Sequence, residues 1–92
     1  MIKRYHAIVE GRVQGVGFRG FCMMQAQTRG LTGSVKNLSN GMVEIFVQGE
    51  ENVLNDFLKK VQEGDGRFIL VDDISVKEVP VVENEKRFAY GW

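Results

Sequence analysis

Apolar and polar residues alternate over residues 5–13. Ala7, Val9 and Val13 share one parity, and His6, Glu10 and Arg12 share the other. A period of two predicts a strand with one buried face. At Phe18 the period changes. Phe18, Phe21, Cys22 and Ala26 fall at helical spacing, and Arg29-Gly30 supplies a helix stop. Between these elements lies a glycine-rich break at residues 14–17. Leu31, Gly33, Val35 and Asn37 then alternate with Thr32, Ser34 and Lys36, which predicts a second strand. Leu38-Ser39-Asn40-Gly41 reads as a turn, with Asn-Gly a strong hairpin dipeptide. A third strand follows over residues 42–48, with Val43, Ile45 and Val47 on one face and Gly49 closing it.

Glu50, Glu51 and Asn52 place acceptors and negative charge where a second helix begins. Val53, Leu54, Phe57, Leu58 and Val61 form its core-facing stripe, and Gly64 ends it. Residues 64–67 read as loop. A fourth strand lies within residues 68–79, clearest at Ile74-Ser75-Val76, and Pro80 stops it. Residues 81–87 are charged loop, and residues 88–92 suit a short final strand. The order β-α-β-β-α-β implies an α+β fold of the ferredoxin-like, split βαβ kind. Two helices pack on one face of an antiparallel sheet, with strands one and three adjacent at its centre.

Composition narrows the class. The chain has 92 residues, enough for a single domain over residues 1–92, and Lys+Arg and Asp+Glu are both 12. Zero net charge lacks the basic excess of a nucleic-acid or membrane-surface binder. Cys22 is the lone cysteine, so no disulfide forms within the chain. No signal-peptide pattern opens the sequence and no apolar run is long enough to span a bilayer. The cytoplasm is the expected location and a monomer the expected state.

The break carries the chemistry. A glycine turn between a strand and a helix start gathers backbone N–H groups, and the helix dipole adds positive potential. Arg19 falls in the first helical turn, where a cation opposes the dipole by about 0.3–1 kcal/mol. A bound phosphate would reverse that sign, because guanidinium and amides would share one anion. From spacing alone, a tight turn with a solvated arginine reads equally well. Gly15-Val16-Gly17-Phe18-Arg19-Gly20 also fits the G-x-G-x-x-G dinucleotide pattern. That reading needs a parallel βαβ unit and an acidic residue about 20 positions on. Here the second strand ends at Asn37-Leu38-Ser39-Asn40, without a carboxylate, and turns into a hairpin.

Gly11-Arg12-Val13-Gln14-Gly15-Val16-Gly17-Phe18-Arg19 resembles the first signature of the acylphosphatase family. Gly33-Ser34-Val35-Lys36-Asn37, with Gly41, Val43 and Gly49, resembles the second. The resemblance extends over essentially the whole chain. It implies a small free-standing enzyme that hydrolyses the carboxyl–phosphate bond of a small acyl phosphate to a carboxylate and inorganic phosphate. It implies neither metal nor cofactor, and no covalent phosphoenzyme. Arg19 matches the family's phosphate-binding arginine, and Asn37 its water-orienting asparagine. Gln14, Gly15, Val16, Gly17 and Phe18 match the loop whose amides cradle the phosphate. Two positions depart from the family pattern. Ser34 replaces a usual aromatic residue, and Phe88-Ala89-Tyr90-Gly91-Trp92 lacks an arginine that many members carry near the end.

Other candidates carry less. Cys22 and Arg29 are one position too far apart for a Cys-(x)5-Arg phosphatase loop, and Cys22 lies on the apolar helix face. His6 has the outward parity, with no carboxylate or serine placed to form a triad. The adjacent pairs Asp72-Asp73 and Glu50-Glu51 read as solvated edges or caps rather than metal ligands. Phe46 and Met23-Met24 read as packing. The alternatives to an enzyme are a non-catalytic phosphate-binding domain and a nucleic-acid-binding module. The module needs paired aromatics on its central strands, and the third strand offers only Phe46.

Overall fold

A computed structural model describes residues 1–91; Trp92, the end of the expected final strand, lies outside the described residues. The elements run β1 (Ile2–Arg12), α1 (Phe18–Gln27), β2 (Thr32–Asn37), β3 (Val43–Glu50), α2 (Glu51–Glu63), β4 (Leu70–Val79) and β5 (Phe88–Tyr90). They build one sheet in the order β4-β1-β3-β2-β5. β1 and β3 take the centre, as the β-α-β-β-α-β order predicts. β4, β1, β3 and β2 pair antiparallel, while β5 lies parallel to β2, so the complete sheet is mixed.

Alternation along the strands separates the two sheet faces. Ala7, Val9, Val35, Ile45 and Val47 point toward the helices and are fully buried. Phe18, Cys22 and Ala26 of α1 and Leu54, Phe57 and Val61 of α2 close over them. Burial pushes the Cys22 thiol far above its usual pKa, so it stays protonated and serves as packing.

The opposite face carries Arg4, His6, Phe46 and Gln48. The connection from β4 to β5 must pass from one sheet edge to the other, and it does so over this face. Arg4 donates to Glu85 at 2.8 Å and to Gln48 at 3.1 Å. Gln48 in turn accepts from the Val82 N–H and donates to its carbonyl, both at 2.9 Å.

Four expectations change. Gly49 does not close β3, which runs through it to Glu50; a side chain at Gly49 would strike Leu31. The acceptors before α2 make no side-chain cap. Glu50 instead binds the N-terminal ammonium at 2.7 Å, and Glu51 binds Lys3 at 3.1 Å. Met24 does not pack, being 53% exposed, because it falls on the outer side of α1. His6 does have a carboxylate: Glu44, on the neighbouring strand, lies 2.9 Å from its Nε2. Sequence separation hid that pair. No helix among the described residues is long and apolar enough to cross a membrane.

Candidate active site

Residues 14–17 turn the chain from β1 into α1. Gly15 and Gly17 have φ of 74° and 81°, the left-handed region that other residues enter at a cost. A Cβ at either would meet nothing within 4 Å. Backbone conformation, not crowding, therefore calls for glycine there. Gly17 is the N-cap of α1, and the helix ladder starts with Phe21 N–H donating to the Gly17 carbonyl at 3.0 Å. No side chain caps this end and no acidic residue occupies the first turn. The first-turn N–H groups are therefore left to solvent or to a ligand.

Gln14 has a different part from the one its loop position suggests. Its side-chain amide donates to the carbonyls of Leu38 and Met42, both at 2.9 Å. These bonds staple the turn to the β2–β3 hairpin, and Asn37 immediately precedes Leu38. The two stretches picked out in the sequence are thereby brought together. A cavity of about 300 Å³ opens between them, with Arg19 and Asn37 both on its wall. Gly15, Gly17 and Phe18 also line it. Gln14 and Val16 do not; Val16 packs against the core.

Asn37 is the last residue of β2, exposed, opposite Val43 of β3. Arg19 is exposed and forms no ion pair or hydrogen bond with the described residues. Its guanidinium carbon lies 5.4 Å from the centroid of the Tyr90 ring. Tyr90 also lines the cavity. Nothing in the sequence pointed to it, because its approach depends on the parallel pairing of β5 with β2. Ser34 faces away from the cavity, opposite Phe46 and Ala89 in the sheet. His6, Glu44 and Phe46 sit together on that far face, with the His6 and Phe46 rings 4.6 Å apart.

The wall thus combines one cation, free backbone donors at a helix start and one carboxamide. Among the described residues it carries no carboxylate, histidine or cysteine. Among the described residues no group of three or more His, Cys, Asp or Glu could hold a metal ion. Such a site suits a small anion.

Comparison with known proteins agrees. The family model Acylphosphatase matches residues 5–90. An acylphosphatase of Clostridium acetobutylicum is 49% identical over 88 residues, spanning 96% of each chain. The crystal structure of acylphosphatase from Bacillus subtilis superposes with a TM-score of 0.91 at 47% identity, covering both chains completely. An acylphosphatase structure from Coxiella burnetii gives 0.88 at 34% identity, over 98% of this chain and 93% of the other. With Arg19 and Asn37 on one cavity, two matching signatures and relatives alike from end to end, this chain belongs to the acylphosphatase family, enzymes that hydrolyse acyl phosphates.

Proposed function

We propose that Arg19 and amides of the 14–18 turn, of which Gly15, Gly17 and Phe18 line the cavity, bind the phosphoryl group, and that Asn37 orients the attacking water. The observation that carries this reading is the convergence of Arg19 and Asn37 on one cavity, from a helix start and a strand end. The uncapped start of α1 supports it: Arg19 there is unfavourable until an anion arrives.

The chemistry asks little of the protein beyond placement and charge. Phosphoryl transfer proceeds through a loose transition state whose negative charge spreads over the equatorial oxygens. Arg19 can contact two of those oxygens in a fork while amides contact others. Asn37 offers both a donor and an acceptor, which fixes one water for in-line attack. A bond forms from the water oxygen to phosphorus as the bond to the acyl oxygen breaks. The leaving group departs as a carboxylate, so it needs no strong general acid. Among the described residues the cavity wall offers no carboxylate or histidine, so in this scheme the water proton goes to a phosphoryl oxygen. The charge requirement is met without a metal in this scheme, so turnover is expected to survive EDTA. Residues 1–92 acting as one domain, a monomeric state and a cytoplasmic location complete the reading; limited proteolysis, sedimentation and fractionation test them.

Steady-state hydrolysis of benzoyl phosphate tests the roles directly. Arg19→Ala and Asn37→Ala should each lower kcat/KM by about 10²–10³ or more, with circular dichroism unchanged. Near-normal turnover in a folded variant would remove that residue from the mechanism.

A further inference from the structure

We propose that Tyr90 is a positioning residue for this reaction: its ring holds the Arg19 guanidinium in place beside the phosphoryl site. The inference rests on the reading of Arg19 as the phosphate-binding group. An exposed arginine explores many rotamers, and ordering it on substrate binding costs side-chain entropy. Arg19 has no hydrogen-bond or ion-pair partner among the described residues to reduce that cost. It has Tyr90, at a centroid distance of 5.4 Å, inside the range of about 6 Å over which a cation is drawn to a ring.

The choice of an aromatic partner has a chemical reason. A carboxylate would orient Arg19 by occupying its N–H donors and cancelling its charge. It would then compete with the phosphoryl group for both. A ring interacts through the π-face and consumes none of the in-plane donors that a phosphoryl fork needs. Tyr90 can therefore order the arginine and leave its binding capacity intact.

The Tyr90 ring is itself exposed, but the strand that carries it is firmly held. Tyr90 pairs with Val35 of β2, and the next residue, Gly91, donates its N–H to the Val35 carbonyl at 2.8 Å. Phe88, at the start of β5, is 3% exposed and packs near Phe57. The connection that delivers β5 is tied down by Arg4–Glu85 and Gln48–Val82. Asn37 lies two residues beyond Val35 on the same strand. Through Tyr90, β2 would register the arginine as well as the asparagine.

Three measurements test the proposal. First, ¹⁵N relaxation of the native protein should find the Arg19 Nε–Hε vector more ordered than that of the exposed Arg12; equal mobility overturns it. Second, Tyr90→Ile, which keeps strand propensity, should weaken binding of inorganic phosphate by about two- to fivefold and loosen the Arg19 vector. Tyr90→Phe should stay at the native level in both. Unchanged phosphate binding in a folded Tyr90→Ile, or an equal loss in Tyr90→Phe, overturns it. Third, kcat/KM for benzoyl and acetyl phosphate should fall by the same factor in Tyr90→Ile. A loss confined to benzoyl phosphate would make the ring an acyl-group wall instead and also overturns the proposal. Failure of the underlying Arg19 reading is seen separately, as native phosphate binding by Arg19→Ala.

Discussion

The two helices begin in opposite ways. α2 starts directly from β3, without an intervening turn, at Glu50 in extended conformation. It carries Glu51 in its first turn and Lys60 in its last, charges that complement the helix dipole at both ends. Lys3 reaches across from β1 to pair with Glu51. α1 starts from a glycine turn with its N-cap in the left-handed region. It has no acid in its first turn, no base in its last, and Arg19 at the wrong end for the dipole. In α2 the charge at the helix start agrees with the dipole, although no side chain caps that start and Glu63 closes the other end. In α1 the helix start departs from the stabilising rules where the cavity lined by Arg19 and Asn37 opens onto it. Such a local violation is what the proposed phosphoryl site at this helix start would require.

Exchanging charges between the two helix starts gives the largest effect. On the role proposed for Arg19, Arg19→Glu should reduce acyl phosphate hydrolysis by about 10³-fold or more, since it replaces a cation on the cavity wall with a charge that repels the phosphoryl group. The same change should leave α1 more stable by about 0.3–1 kcal/mol, read as a higher urea midpoint. A variant that is both inactive and less stable would break the contrast.

Gly17→Ala should come next. It forces a Cβ into a left-handed N-cap at a cost of about 1–2 kcal/mol, with no steric clash to add. Phosphate protection against urea should weaken in parallel, because the first-turn amides depend on that geometry. Glu51→Arg is the mirror experiment in α2. It should lower stability by about 0.3–1 kcal/mol while benzoyl phosphate turnover stays at the native rate.

The smallest effect concerns Lys3, whose pKa is raised, first by its hydrogen bond to Glu51 and then by the charges of Glu51 and Glu78. Such a group stabilises fully below its unfolded-state pKa and loses that contribution as pH rises through the higher folded-state value. The difference in melting midpoint between the native protein and Lys3→Met should therefore be constant near neutrality and shrink in strongly alkaline solution. A gap that instead closes on acidification toward pH 7 from above would contradict the pairing.

The strands, both helices and the glycine turn follow from the sequence by itself, because each rests on local rules. A period of two or 3.6 sorts Ala7 and Val9, or Leu54 and Phe57, onto one face whatever else the chain does. Gly15 and Gly17 announce left-handed backbone, and Arg19 beside them announces an unmet charge. The two signatures likewise named the residues to test, and with them the family. Tertiary structure alone decided how those pieces meet. Gln14 looks like one more loop residue until its amide is found bridging Leu38 and Met42. Tyr90 looks like the tail of a weak strand until the parallel pairing with β2 carries its ring to Arg19. Glu44 and His6 are unrelated until β1 and β3 lie side by side. Each of these contacts joins residues from different strands or loops. Their geometry depends on strand register and on a connection crossing the whole sheet, and no local pattern encodes either.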